Sequence, residues 1–165
     1  MVQKKICMLG PFAVGKSSLV TRFIDSIFSE TYHTTVGVRI EKKALQHGGK
    51  EWHLIIWDLA GEDEFLQIRP SYLRGASGYL LVADGTRRAT LDSAVKMQQR
   101  VRDTIGDVPF VLILNKSDLT DEWEVAEQTI AALSQGDWTW LKASAKTGVS
   151  VEQAFLTLVG KMMEG

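Results

Sequence analysis

Between an apolar run that ends at Gly10 and a stretch with helical patterning, the chain reads GPFAVGKS over residues 10–17. Gly10 and Gly15 frame four variable positions, and Lys16 and the hydroxyl of Ser17 follow. No other feature constrains the fold as much. GxxxxGK[ST] wants a strand before it and a helix after it. Such a loop offers several backbone N–H groups to a chain of phosphates, and the helix start adds its partial positive charge. In this pattern Lys16 reaches the β- and γ-phosphates and the Ser17 hydroxyl binds Mg²⁺. From average residue usage, the fixed positions coincide in roughly one chain in 200 of this length. The strand–loop–helix context makes chance rarer still. The motif points to a nucleoside triphosphate and leaves open which base and what is done with it.

The remaining pattern supplies the architecture. Lys4–Gly10 reads as a buried strand and Lys16–Asp25 as a helix. Two extended segments follow, Gly37–Gln46 and Glu51–Asp58, joined by HGGK, whose Gly-Gly pair suits a hairpin turn needing positive φ. A charge-rich stretch, Ala60–Gly75, precedes the apolar run GYLLVADG. Leu91–Ile105 reads as a helix. PFVLILN is apolar throughout, as in an interior strand. Asp121–Leu133 reads as a helix with acids at its start, TWLKAS as a short strand, and Ser150–Met163 as a closing amphipathic helix capped by Ser150. Apart from the hairpin this is β-α-β alternation, which predicts an α/β fold: a mostly parallel sheet with helices on both faces. Ligands in such folds sit beyond the carboxyl ends of the strands. Those ends here carry LGPFAVGKS, WDLAG, LNKSD and KASAK.

At 165 residues the chain has the length of one domain, residues 1–165. With 45% hydrophobic and 24% charged residues and a net charge of −1, nothing suggests a nucleic-acid partner or an anionic membrane surface. The lone Cys7 has no internal disulfide partner, which fits a reducing cytoplasm, and it reads as a small core residue. His33, His47 and His53 lack metal-ligand spacing and read as solvated. No run approaches the roughly 20 apolar residues of a membrane span. The sequence shows no signal peptide and no myristoylation or prenylation site, so a direct membrane anchor is not expected in this chain.

Three further signals specify the ligand. In LNKSDL, Asp118 can present both carboxylate oxygens to one edge of a base. Guanine offers two adjacent donors there and adenine does not, so a closed pocket would leave an oxygen unpaired against adenine. Asn115 would tie neighbouring loops together and the Lys116 stem would lie over the base. Read alone, NKxD fits an ordinary turn as well; beyond a strand end in a chain with a phosphate loop it is specific. SAK, Ser144–Lys146, can lend the Ala145 N–H to the base carbonyl. In WDLAGED, Asp58 sits at a strand end, within reach of Mg²⁺ through a water, and the Gly61 N–H can approach a γ-phosphate.

GPFAVGKS, the threonine of TTVG, WDLAG, NKSD and SAK, in this order from Gly10 to Lys146, resemble the Ras superfamily of small GTPases. WDLAGEDEFLQIRPSYLRGA, with TTVG before it, is most similar to the Rab-like branch. The resemblance implies a P-loop NTPase three-layer sandwich, with a six-stranded sheet that has one antiparallel strand. It also implies a regulatory role in which GTP and GDP bind with Mg²⁺ and protein effectors and regulators read the switch loops. Carried over residue by residue, it assigns nucleotide contacts to Ala13, Val14, Gly15, Lys16, Ser17, Ser18, Phe28, Tyr32, Thr35, Gly61, Asn115, Lys116, Asp118, Leu119, Ser144, Ala145 and Lys146. Metal ligation falls to Ser17, Thr35 and, through water, Asp58. The catalytic set is Lys16, Thr35, Gly61 and Glu62. Val36, Phe65, Ile68, Tyr72 and Leu73 are candidates for an exposed surface that partners read. An unlipidated member of this type fits a bacterial protein, a domain cut from a longer chain, or one that works unanchored.

Two positions depart from the family pattern. Glu62 stands where a water-orienting glutamine is usual, and an ionised glutamate donates no hydrogen bond and adds charge beside an anionic phosphate. Phe12 occupies a loop position often held by a small residue, where its bulk would crowd the space an arginine finger needs. Together they imply slow intrinsic hydrolysis. A guanine-nucleotide-binding scaffold with negligible turnover remains an alternative. A P-loop kinase would want an arginine-bearing lid where this chain has NKSDL.

Overall fold

The computed structural model describes residues 2–25, 38–59 and 70–164. Among them six strands form one sheet: β1 (Val2–Leu9), β2 (Val38–His47), β3 (Lys50–Leu59), β4 (Ala76–Asp84), β5 (Phe110–Asn115) and β6 (Trp140–Lys142). Their order is β2-β3-β1-β4-β5-β6. β2 runs antiparallel to β3 and every other pairing is parallel. The helices are α1 (Lys16–Asp25), α2 (Pro70–Leu73), α3 (Arg88–Ile105), α4 (Glu127–Gln135) and α5 (Val151–Glu164). The alternation read from the sequence thus gives the expected mixed sheet.

The two-residue period of β1 explains its place at the centre. Ile6 and Met8 enter one core with Leu19 and Phe23 of α1 and Phe155, Leu158 and Val159 of α5. Cys7 and Leu9 enter the other, with Leu91, Ala94, Met97 and Val101 of α3 and Ile130 of α4. Phe23 and Phe155 stack at 3.9 Å between centroids and join α1 to α5. A strand with helices on both faces must be apolar on both, hence the unbroken run ICML. Cys7 is buried, as the sequence implied. At the β2–β3 hairpin, Gly48 and Gly49 take φ of 61° and 76°, the left-handed turn expected of the pair.

The structure corrects four readings. The helix expected over Asp121–Leu133 begins only at Glu127, and Thr120–Glu122 form one 3₁₀ turn. Trp123 (ψ 124°) and Ala126 (ψ 147°) are extended. Tertiary contacts override the local preference there. The Trp123 ring lies so close over Gly85 that a Cβ on that glycine would stand 2.0 Å from it. The Glu124 N–H donates to the Gly85 carbonyl (2.8 Å) and the Glu124 carboxylate accepts from the Arg88 N–H (2.9 Å). Second, Leu73 is not an exposed contact: it is 2% accessible, in the core with Leu81 and Met97. Third, His53 is half-buried on β3, 3.6 Å from Glu51, rather than free in solvent. Fourth, Ser150 directly precedes α5 and its carbonyl accepts the Ala154 N–H, but its φ is 59°, outside the extended range of a usual N-cap.

Candidate nucleotide-binding site

In the sheet order β1 lies between β3 and β4, so the chain leaves β1 towards opposite edges. The carboxyl end of β1 is therefore the switch point where open α/β sheets hold ligands. The glycine-framed loop starts there. The Lys16, Ser17 and Ser18 N–H groups form the first turn of α1, where N–H groups lack intrahelical acceptors. The first helical bond, Leu19 N–H to the Gly15 carbonyl, spans 3.0 Å. Gly15 (φ 98°) admits no side chain, because a Cβ would meet Asn115 Nδ2 at 2.3 Å. The second glycine of one motif thus makes room for the asparagine of another.

Lys16 is 7% exposed, with Nζ donating to the Gly10 and Pro11 carbonyls at 2.9 and 3.2 Å. Burial pushes its ammonium down to about 8, partly offset by the nearby Asp58 carboxylate. A cation held in so dry a place favours an anion against it. Asp58 is fully buried near the end of β3, opposite Met8 of β1. Ser17 Oγ donates to Asp58 Oδ2 at 2.5 Å. A hydroxyl and a carboxylate this close are hard oxygen donors of the kind Mg²⁺ takes, so the residues present fit that ion.

On the base side, Asn115 does what its position suggested. Its Nδ2 donates to the Val14 carbonyl at 2.9 Å, and its Oδ1 accepts the Ala145 N–H at 3.3 Å. The Ala145 N–H, expected to face a base carbonyl, stands 3.3 Å from Asn115 Oδ1. The Ser117 N–H donates to the Ala143 carbonyl at 3.0 Å and the Leu119 N–H to that of Lys116 at 3.0 Å, which fixes the NKSDL turn against the start of SAK. Lys116 is left-handed (φ 69°). Ser144 Oγ donates to Asp118 Oδ1 at 2.7 Å and accepts the Thr147 N–H at 3.1 Å. The SAK serine therefore aims the NKxD aspartate. Lys146 is exposed beside them.

Sequence reasoning missed Asp84 and Arg87. Asp84, at the end of β4, is a buried carboxylate. Its Oδ2 meets Lys116 Nζ at 2.8 Å and Arg87 Nε at 3.1 Å, and its Oδ1 accepts from the Thr86 N–H and hydroxyl at 2.9 and 2.6 Å. Burial raises its carboxyl, but these donors together hold it below the ordinary value. An acid closing the apolar run GYLLVA, at the sheet end where the phosphate loop, Asp58, NKSD and SAK lie, was the available signal. Phe12 is 45% exposed. Phe28, Tyr32, Thr35, Val36, Gly61, Glu62, Phe65 and Ile68 lie outside the described residues. Among the described residues no group of three or more His, Cys, Asp or Glu side chains is placed to hold a metal, and no helix is long and apolar enough to cross a membrane.

The sequence model of the Ras family matches residues 5–164. Among curated proteins, the chain is 38% identical over 162 residues to the "Ras-related protein RABA6a" of Arabidopsis thaliana, covering 97% of this chain and 70% of that one. It is 36% identical over 165 residues to the "GTP-binding protein ypt1" of Schizosaccharomyces pombe, covering 97% and 80%. To the "Ras-related protein Rab-1A" of Dictyostelium discoideum it is 36% identical over 156 residues, covering 93% and 77%. A phosphate loop, a Ser17–Asp58 oxygen pair and an aimed Asp118 gathered at one end of this sheet agree with those matches, and the chain belongs to the Ras family of small GTPases, on its Rab-like branch.

Proposed function

We propose that residues 1–165 act as one guanine-nucleotide switch in the cytoplasm, which binds GTP and GDP with Mg²⁺ and hydrolyses GTP slowly when alone. The observation that carries this is the meeting of Lys16, the Ser17–Asp58 pair and the Ser144-held Asp118 at one end of the sheet. Lys16 and the loop amides, from Ala13 to Ser18, take the phosphates. Ser17 and, through a water, Asp58, with Thr35 by resemblance, would hold Mg²⁺, which would neutralise charge on the phosphates. Asp118 selects guanine, flanked by Asn115, Lys116, Leu119, Ala145 and Lys146, with Phe28 against the base. In hydrolysis water attacks the γ-phosphorus and the bond to the β–γ bridging oxygen breaks, releasing GDP and phosphate. The chain's part is positioning and charge neutralisation. Thr35 and the Gly61 N–H hold the two switch loops on the γ-phosphate, and its loss frees them. Partners have a face beside those loops. Ile40, 52% exposed on β2, pairs across the sheet with Trp57, against which Tyr72 packs at 6.3 Å between centroids.

The test is nucleotide retention followed by single-turnover hydrolysis. GDP and GTP are expected to stay bound through gel filtration with Mg²⁺ while adenine nucleotides are lost, and equal retention of ATP would overturn the reading. Glu62 and Phe12 support the slow rate. Glu62→Gln is expected to raise hydrolysis at least several-fold, because a neutral amide can orient the attacking water without adding negative charge beside the phosphate; an unchanged rate removes Glu62 as the cause. Glu62 also favours the second reading, a GTP-binding scaffold, and no phosphate release over hours would establish it.

A further inference from the structure

The phosphate loop has to turn its N–H groups one way. A planar trans peptide points its C=O and N–H in opposite directions, so whatever grips a carbonyl from outside fixes where the N–H of the next residue faces. Three consecutive carbonyls of this loop are gripped. Asn115 Nδ2 holds that of Val14 at 2.9 Å, and so sets the Gly15 N–H. Lys116 Nζ reaches that of Ala13 at 3.3 Å. Arg87 Nη2 is nearer to the Ala13 carbonyl, at 3.0 Å, and also takes that of Phe12 at 3.2 Å. Ala13 itself is left-handed (φ 62°), a conformation a non-glycine residue keeps only when its surroundings impose it.

Arg87 is built to do this. Its Nε is seated on the buried Asp84 carboxylate at 3.1 Å, which leaves Nη2 for the loop. Its backbone is fixed as well. The Arg87 N–H donates to the Asp84 carbonyl (3.0 Å), and the Arg87 carbonyl accepts the Thr90 hydroxyl (2.7 Å), whose single proton is shared with the Asp84 carbonyl 3.0 Å away. The segment Trp123–Glu124 clamps the same turn from outside through Gly85 and the Arg88 N–H. A rigid fork of donors on a carboxylate is what arginine supplies and a point charge does not.

We propose that Arg87, seated on Asp84, is a positioning residue for the phosphate loop: it orients the Phe12–Ala13 and Ala13–Val14 peptides so that their N–H groups face the nucleotide phosphates. This rests on the nucleotide-switch reading above. The Arg87 side chain meets Asp84 and the loop carbonyls, so it acts through two main-chain units. A guanidinium on their carbonyls also polarises the two peptides and strengthens their N–H groups as donors.

The experiment compares wild type, Arg87→Ala, Arg87→Lys and, as a neighbouring control, Arg88→Ala. It reads the dissociation rate of a fluorescent GDP with Mg²⁺ and the ¹⁵N–¹H spectrum of each GDP complex. Arg87→Ala is expected to release GDP about tenfold faster and to move the Ala13 and Val14 amide resonances upfield, while Gly15, held through Asn115, stays in place. Arg87→Lys, which keeps the charge and loses the fork, is expected to fall between, and Arg88→Ala within twofold of wild type. Release within twofold of wild type for Arg87→Ala, or faster release with unmoved Ala13 and Val14 amides, would overturn the proposal while leaving the switch reading intact. Wild type that retains no GDP would overturn both.

Discussion

Asp84 shows how much one buried carboxylate can organise. It holds Lys116 at 2.8 Å and Arg87 at 3.1 Å, and both cations reach back to the phosphate loop. Asp84→Asn keeps the shape and removes the charge. Expected is a loss of about 2 kcal/mol in urea unfolding of the GDP complex, because two cations lose their counter-charge but are exposed enough to regain water. The group sits below its ordinary value of 3.8 when folded, so its contribution is present above that pH and is lost as pH falls through the folded value. The gap between wild type and Asp84→Asn should hold between about pH 5 and 7 and narrow below about pH 4; a gap that widens in acid would show the sign is wrong. Lys16, Ser17, Asp58, Asn115 and Asp118 were legible in the sequence because their chemistry needs fixed neighbours. Arg87 was not, since its partners are main-chain carbonyls 74 and 75 residues away, and a carbonyl leaves no mark in a sequence.

The strands and long helices were legible because burial on both faces forces apolar runs, as in PFVLILN and ICML. α4 was misread because Trp123 and Glu124 are committed to the turn after β4 rather than to the helix that follows. Their docking leaves no space at Gly85. Gly85→Ala would put a methyl group inside the Trp123 ring, which the turn cannot relieve without losing the Glu124 bonds. Expected is a loss of roughly 1–3 kcal/mol, the range for overpacking. Denaturation followed by tryptophan fluorescence measures it, and a neutral result would mean that the 123–126 segment lifts away freely. Since the same turn carries Arg87, the variant should also release GDP faster than wild type.

At the scale of the molecule, the nucleotide site joins parts that are far apart in the chain. The loops after β1, β5 and β6 and the end of β3 meet at one end of the sheet, joined among the described residues by a few side-chain bonds and the Ser117–Ala143 backbone bond. A bound ligand adds contacts to all four at once. With GDP·Mg²⁺ at about 100 times its dissociation constant, the gain is about 2.7 kcal/mol, or roughly 2–8 °C in midpoint for domains of this size range. Adding a chelator should return most of that shift and speed nucleotide loss; a midpoint indifferent to chelation would argue that Ser17 and Asp58 hold no ion. The opposite of that open rim is the middle of β1. Cys7 is sealed there, with burial pushing its thiol up to about 11 despite the Lys5 charge nearby. A thiol reagent can reach it only when the centre of the sheet comes apart, so the labelling rate of the unmodified chain is a direct clock of global opening, with no probe to be engineered in.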